Sequence, residues 1–157
     1  MEFKIAGKDE IASLISMRMA YLAEDYGDLP EEKRAGIERK LPDYFQRHLN
    51  VDLFAFVCTQ EAEIVSCCFL YVSEKPANPT FPNGKTGTVL NVYTKPEYRR
   101  KGIAGKLLKM LLAQSEKMGL DFVELKATDV GYPLYQSLGF EDAVSKYHNM
   151  KYVITSE

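Results

Sequence analysis

No apolar run in this 157-residue chain approaches the roughly 20 residues that a bilayer-spanning helix needs, so no membrane role is expected. The start, Met1-Glu2-Phe3-Lys4-Ile5-Ala6, lacks a basic stretch leading into an apolar one. No secretory signal is read there, and a cytoplasmic location is expected. Charge of one sign is lacking as well: the formal net charge is -2, so nothing global points to nucleic acid. Cysteine is sparse and odd in number, with Cys58, Cys67 and Cys68 alone. Neighbouring strand residues face opposite ways, which makes Cys67 and Cys68 a poor disulfide framework. No CxxC or other metal-ligand spacing occurs, so no metal is expected, and the thiols read as small buried residues in a reducing compartment.

What is present is the ordinary balance of a globular protein, 46% hydrophobic and 27% charged. The length suits one domain over residues 1–157. Residues 3–6 read as a first strand. Asp9 is the expected N-cap of a helix to about residue 23, with Ile11, Leu14, Ile15, Arg18 and Leu22 at helical spacing. Tyr26-Gly27-Asp28-Leu29-Pro30 breaks it. A second helix is predicted from about Glu31 towards His48, kinked or split at Pro42. Residues 53–59 and 64–73 predict an antiparallel hairpin. Three prolines and an Asn-Gly make 74–85 an irregular loop, expected to border the site and to act as a lid. Residues 88–94 predict a fourth strand. A helix with Ile103, Leu107, Met110, Leu111 and Met118 on one face follows, and then a fifth strand over 122–127, parallel to the fourth. A short helix at 133–138 and strand material at Phe140 and 147–154 complete an α/β (α+β) reading.

The chemistry concentrates after the fourth strand, in Arg99-Arg100-Lys101-Gly102-Ile103-Ala104-Gly105-Lys106. Three cations precede small residues that open a helix. A helix start carries unsatisfied N–H groups and partial positive charge, which favour a phosphate. Gly102, Ala104 and Gly105 keep side-chain bulk away from those amides. The residues alone also admit a solvated basic turn. A nucleotide P-loop fails: Arg100 stands where its first Gly is required, and Leu107 where Ser or Thr is required. The dinucleotide pattern GxGxxG fails too.

Arg99, Gly102 and Ala104 fill the pattern Arg/Gln-x-x-Gly-x-Gly/Ala. Downstream, Leu134-Tyr135-Gln136-Ser137-Leu138-Gly139-Phe140 matches Leu-Tyr-x-x-x-Gly-Phe. With the element order, these two segments resemble the GNAT (Gcn5-related N-acetyltransferase) superfamily across the chain. The resemblance implies a mixed, mostly antiparallel sheet with parallel strands four and five splayed apart, flanked by about four helices. It implies an N-acetyltransferase using acetyl-CoA as co-substrate. The pantetheine arm would run along Val92, Tyr93 and Thr94, pairing with main-chain groups of Val92 and Thr94. The pyrophosphate would sit on the amides from Arg100 through Lys106, with charge added by Arg99, Arg100 and Lys101. Tyr135 matches the family tyrosine near the coenzyme sulfur; a phenol titrating near about 10 can protonate a departing thiolate of pKa near roughly 8.5. Many members carry an Asn after strand five. Here Ala127-Thr128-Asp129-Val130 stands there, leaving Thr128 or Asp129 to replace it.

The attacking amine must lose a proton, since an alkyl ammonium titrates near roughly 10.4. Candidate bases are Asp129, Glu24 or Asp25, and His48, with a water relay as the alternative. Asn91 or Tyr93 faces the opening. The acidic group Glu24, Asp25, Asp28, Glu31 and Glu32 would attract a cationic amine, or merely favours the second helix start after Pro30. The expected partners are acetyl-CoA and an amine, and a homodimer is compatible. Three functions follow: acetylation of a small amine, acetylation of a protein N-terminus or lysine, or a non-catalytic CoA-binding module. The lack of an appended docking region favours the first.

Overall fold

A computed structural model describes residues 1–155. Two compact units divide the chain, Met1–Lys126 and Ala127–Glu157. The first holds a five-stranded sheet in the order β1 (Glu2–Ile5), β2 (Leu53–Gln60), β3 (Glu63–Glu74), β4 (Lys85–Thr94), β5 (Val123–Glu124). β1 through β4 pair antiparallel, and β4 pairs β5 parallel. Three helices, α1 (Ile11–Tyr26), α2 (Glu31–His48) and α3 (Ile103–Lys117), complete this unit. The second unit contains α4 (Tyr132–Ser137). The α/β architecture with its single parallel pair is the one expected.

Both faces of the sheet are buried. Ala55, Val57, Cys67 and Phe69 point into a core with Leu14 and Met17 of α1 and Phe45 of α2. The alternate residues, Phe56, Cys58, Cys68 and Leu70, are buried as well. Strand alternation turns them to the other face, and α3 packs on β2, β3 and β4 with Ile103, Leu107, Leu108 and Leu111 buried. The three thiols are free and buried. Burial pushes the Cys67 thiol up to about 12 and Cys68 higher than its ordinary value.

Several local expectations need correction. Asp9 does not cap α1. A 3₁₀ turn, Lys8–Glu10, precedes the helix, and Glu10 Oε1 accepts the Gly7 N–H at 3.0 Å while Glu10 Oε2 meets Lys4 Nζ at 3.1 Å. The glutamate reaches back over the turn, which leaves the shorter aspartate no capping role. Pro42 does not split α2, which runs as one element through it. Proline removes a single N–H, and Phe45, Leu49 and Leu41 anchor the helix to the core on either side of that gap. The fifth strand is shorter than 122–127, because only Gly87↔Val123 and Thr88↔Glu124 pair before the two chains diverge. Residues 140–155 form no strand among the described residues, contrary to expectation for Phe140 and 147–154. The hairpin turn between β2 and β3 is the tight pair Glu61 and Ala62, at φ 51° and 67°, where glycine or asparagine is usual.

Candidate active site

β4 and β5 part after Thr88 and Glu124, which leaves the later half of β4 with an open edge. A bulge decides what that edge presents. Phe69 pairs with Leu90 and Cys67 with Tyr93, so β4 carries one residue more than β3 between these pairs. The extra residue is Asn91, at φ 54°, a left-handed conformation that asparagine tolerates better than most residues. Lys95 donates its N–H to Val65 O on β3 at 2.9 Å. By alternation, the main-chain groups of Thr94 and Val92 face away from β3, towards the opening. These are the two residues expected to pair with an extended ligand.

The chain then turns through a 3₁₀ element, Pro96–Tyr98, into α3. Arg100 has φ 63° and Gly102, the residue before the helix, φ 76°. Only glycine adopts that conformation at little cost, and a Cβ placed on Gly102 would meet nothing within 4 Å. The glycine is thus required by the backbone, and the space before it is open. Lys106 N–H to Gly102 O, 3.2 Å, is the first bond of the helix, so the amides of Ile103, Ala104 and Gly105 have no intrahelical acceptor. An oxyanion fits this cradle of bare amides with little side-chain bulk in front.

The basic side chains divide their labour. Arg99 is committed within the protein: Nε donates to Thr94 O at 2.7 Å, a terminal N meets Glu24 Oε2 at 2.6 Å, and the guanidinium lies 5.5 Å from the Tyr93 ring centroid. It latches the end of α1 to the end of β4 instead of lying free for an anion. Lys101 Nζ sits 5.5 Å from the Tyr98 ring and Lys106 Nζ 3.9 Å from the Phe3 ring. Arg100 is exposed and its guanidinium makes no contact of this kind among the described residues. It is the cation of the turn left available to a ligand.

α1 lines the other wall of β4. Arg18 donates to Asn91 Oδ1 at 3.1 Å, and Asn91 Nδ2 reaches Cys67 Sγ at 3.5 Å. Arg18 has no carboxylate partner among the described residues. It also lies 5.8 Å from the Tyr21 ring, whose phenol is pushed up by burial and by nearby Asp25. Sequence reasoning named Asn91 but missed Arg18 as a site residue. The signal was available: Arg18 is the one charge on the apolar stripe of α1. Glu31, by contrast, is bound to Arg34 at 2.8 Å within α2 and serves its own helix.

Two expected site elements lie elsewhere. The irregular loop at 75–84 precedes β4, whereas the turn follows it, and ten strand residues span roughly 33 Å. The loop is also tied down, with Asn83 N–H on Asp121 Oδ2 at 3.0 Å, Asn83 Nδ2 on Gly119 O at 3.1 Å, and Phe81 against Phe122. It is not a lid over this turn. A cleft of about 580 Å³ beside Asp52, Tyr71, Glu74 and Lys85 belongs to that same far end. His48 is there too, its Nδ1 2.8 Å from Asp52 Oδ1 and its ring stacked on Tyr44. That corner aligns with Tyr71 and Thr88, six residues or roughly 20 Å along β4 from Thr94, so His48 does not serve the opening.

In the second unit, Thr128 Oγ1 accepts the Gly131 N–H at 3.1 Å and so shapes the entry to α4. Asp129 is exposed. Tyr135 is half-buried, edge-on to Phe140 at 5.9 Å, and a Cβ on Gly131 would come within 3.0 Å of its ring. Gly131 and Phe140 together set the ring's position within this unit. The described residues hold no cluster of three or more metal-ligating side chains, and no helix among them is long and apolar enough to cross a membrane.

An oxyanion cradle at a helix start, entered from the bulged, open half of a strand, defines an acyl-CoA-dependent acyltransferase fold. Comparison with known proteins makes the family explicit: the acetyltransferase (GNAT) domain matches residues 52–142, more than half of the chain, and the chain belongs to that family of acetyltransferases. A crystal structure of a predicted acetyltransferase with acetyl-CoA from Clostridium acetobutylicum superposes with a TM-score of 0.82 at 26% identity, covering 96% of this chain and 95% of that one. A GCN5-related N-acetyltransferase from Ralstonia eutropha JMP134 gives 0.79 at 24% identity, covering 95% and 97%. The ribosomal-protein-alanine N-acetyltransferase from Brucella melitensis biovar Abortus 2308 gives 0.67 at 19% identity, covering 96% and 100%. The last two likenesses, below 25% identity, show the fold alone. A comparison with curated protein sequences finds no significant match.

Proposed function

We propose that this enzyme moves the acetyl group of acetyl-CoA to the primary amine of a small molecule, by direct attack within a ternary complex. The observation that carries the donor half is the continuity of the open β4 edge at Val92 and Thr94 with the bare amides of Ile103, Ala104 and Gly105. An extended pantetheine arm ending in a pyrophosphate has that shape. Arg100 supplies the mobile countercharge, and Arg99 holds the Thr94 carbonyl in place. Small residues at Gly102, Ala104 and Gly105 let the phosphates approach the amides.

The amine nitrogen attacks the thioester carbon, the carbon–sulfur bond breaks, and the products are an amide and CoA. The Val92 amide polarises the thioester carbonyl. Tyr135, carried over by the family signature, gives its proton to the departing thiolate. Glu24 is engaged with Arg99, so the proton of the incoming ammonium leaves through water, with Asp129 its protein candidate. Thr128 stands in for the family asparagine on the pantetheine. Glu24, Asp25 and Asn91 form the acceptor side, beside Arg18. Arg18, bonded to Asn91 and beside the Tyr21 ring, and Tyr93, beside Arg99, lie on this wall of β4.

Calorimetry with acetyl-CoA, followed by thiol release against a panel of amines and peptides, tests the reading. Saturable binding with turnover on small amines is expected. No acetyl-CoA binding overturns the reading altogether. Turnover on peptides only moves the acceptor to protein, and binding without any turnover makes the chain a CoA-sensing module.

A further inference from the structure

The first unit has six arginines, and only Arg18 and Arg34 among them are half-buried. Arg34 is held by two carboxylates, Glu31 and Glu38, each at 2.8 Å. Arg18 has no carboxylate partner within the unit. It donates one N–H to the neutral Asn91 Oδ1 at 3.1 Å and lies against the Tyr21 ring. A guanidinium has five N–H donors, so the rest of the fork has no acceptor among the described residues. A cation drawn partly out of water beside a neutral partner is an unbalanced charge, and arginine is rarely so placed unless paired.

The carboxylates of neighbouring segments are engaged elsewhere. Glu24 is bound by Arg99 at 2.6 Å, and Asp52 by His48 at 2.8 Å. Asp25 lies seven residues on, roughly 10 Å along α1, beside the Tyr21 phenol. Asn91 fixes Arg18 in place. Its side chain is buried and its Nδ2 is held by Cys67 Sγ, so its Oδ1 is turned to the arginine. The bulge sets Asn91 directly before Val92, whose main chain faces the opening. An anion on Arg18 is therefore anchored about one strand residue, roughly 3.3 Å along β4, from the residue proposed to polarise the thioester. A planar fork of N–H groups takes a carboxylate through two parallel bonds.

We infer that Arg18 binds a carboxylate carried by the acceptor, which makes that acceptor a short amino acid, its amine and carboxylate separated by a short carbon chain. The inference rests on the acetyl-transfer reading and names its substrate class. Both ends of the acceptor are then placed by β4, the carboxylate through Arg18 on Asn91 and the amine at the thioester carbon beside Val92. A protein N-terminus or a lysine side chain brings no carboxylate to that distance, because the neighbouring carboxyl group is an amide.

Acetyl transfer to glycine and β-alanine, each against its primary amide, tests it. The unaltered chain is expected to take the acids with a KM at least about tenfold below that of the amides, the effect of one charged contact. Arg18→Gln keeps a donor for Asn91 and is expected to bring acid and amide within about twofold, while Arg18→Lys keeps part of the preference. A merely structural Arg18 would lower turnover of acid and amide alike; an unchanged ratio in Arg18→Gln overturns the inference. Equal KM for acid and amide in the unaltered chain overturns it too, and leaves acetyl transfer standing. If neither class is turned over, or Arg18→Gln does not fold, calorimetry of acid and amide into the CoA-saturated, unaltered chain decides. Tighter binding of the acid supports the inference there, and equal or absent binding overturns it. Failure of acetyl-CoA to bind in a titration without amine is a failure of acetyl transfer, and takes this inference with it.

Discussion

Arg99 and Arg100 are adjacent cations of one motif, yet the structure assigns them different work, and replacing each by alanine should separate the two. Arg99 donates to Thr94 O at 2.7 Å and pairs with Glu24 at 2.6 Å, with side-chain exposures of 38% and 54% across the pair. The ion pair is wet and contributes at most about 1 kcal/mol. The charged hydrogen bond to a strand carbonyl contributes about 1.5–3 kcal/mol before screening by solvent, so about 2 kcal/mol in all is a fair expectation. For a chain of this size that lowers the melting temperature by roughly 4–8 °C. Glu24→Gln removes only the wet pair and should cost roughly 1–3 °C. Arg100 has no protein partner among the described residues, so Arg100→Ala should leave the melting temperature within about 2 °C. It should instead weaken acetyl-CoA roughly 10–100-fold, an effect that shrinks in high salt as phosphate attraction is screened. Differential scanning fluorimetry and calorimetric titration at two ionic strengths measure both quantities. Equal loss of stability, or equal salt-dependent loss of affinity, in the two alanine variants would refute this division.

Replacing Glu61-Ala62 by Asn-Gly should raise stability by about 1–2 kcal/mol, because both positions have positive φ; unchanged denaturant midpoints would contradict it. Tyr135→Phe should lower kcat while leaving the acetyl-CoA dissociation constant nearly intact, and unaltered turnover would remove the acid role. The Cys67 thiol rises from its ordinary 9.0 to about 12 by burial, so its folded pKa exceeds the unfolded one. Its contribution is complete below about pH 9 and is lost as pH rises towards 12, at about 1.4 kcal/mol per unit. Urea midpoints should therefore fall above pH 9 less steeply in Cys67→Ala.

The helix start with bare amides after β4 was legible because its requirements are local. A helix start with small residues and flanking cations is written within eight consecutive positions, from Arg99 to Lys106. The strands of the β2–β3 hairpin and the α1, α2 and α3 faces were legible for the same reason, since periodicity reports which side of an element is dry. What depended on distance along the strands was not legible. The loop at 75–84 looks like a lid in a linear reading, and only the ten residues of β4 place it at the far end. His48 looked available until the register put it beside Tyr71 and Thr88.

The sequence by itself determined the fold class, and through the resemblance of its two short motifs the family, because helix starts and strand alternation need only near neighbours. The tertiary structure alone decided that Arg99 is a latch, that Arg100 has no partner among the described residues, and that Arg18 reaches Asn91 across 73 positions of sequence. Those outcomes depend on which distant groups meet, and a charge or an apolar side chain has no assigned partner until the sheet brings one to it.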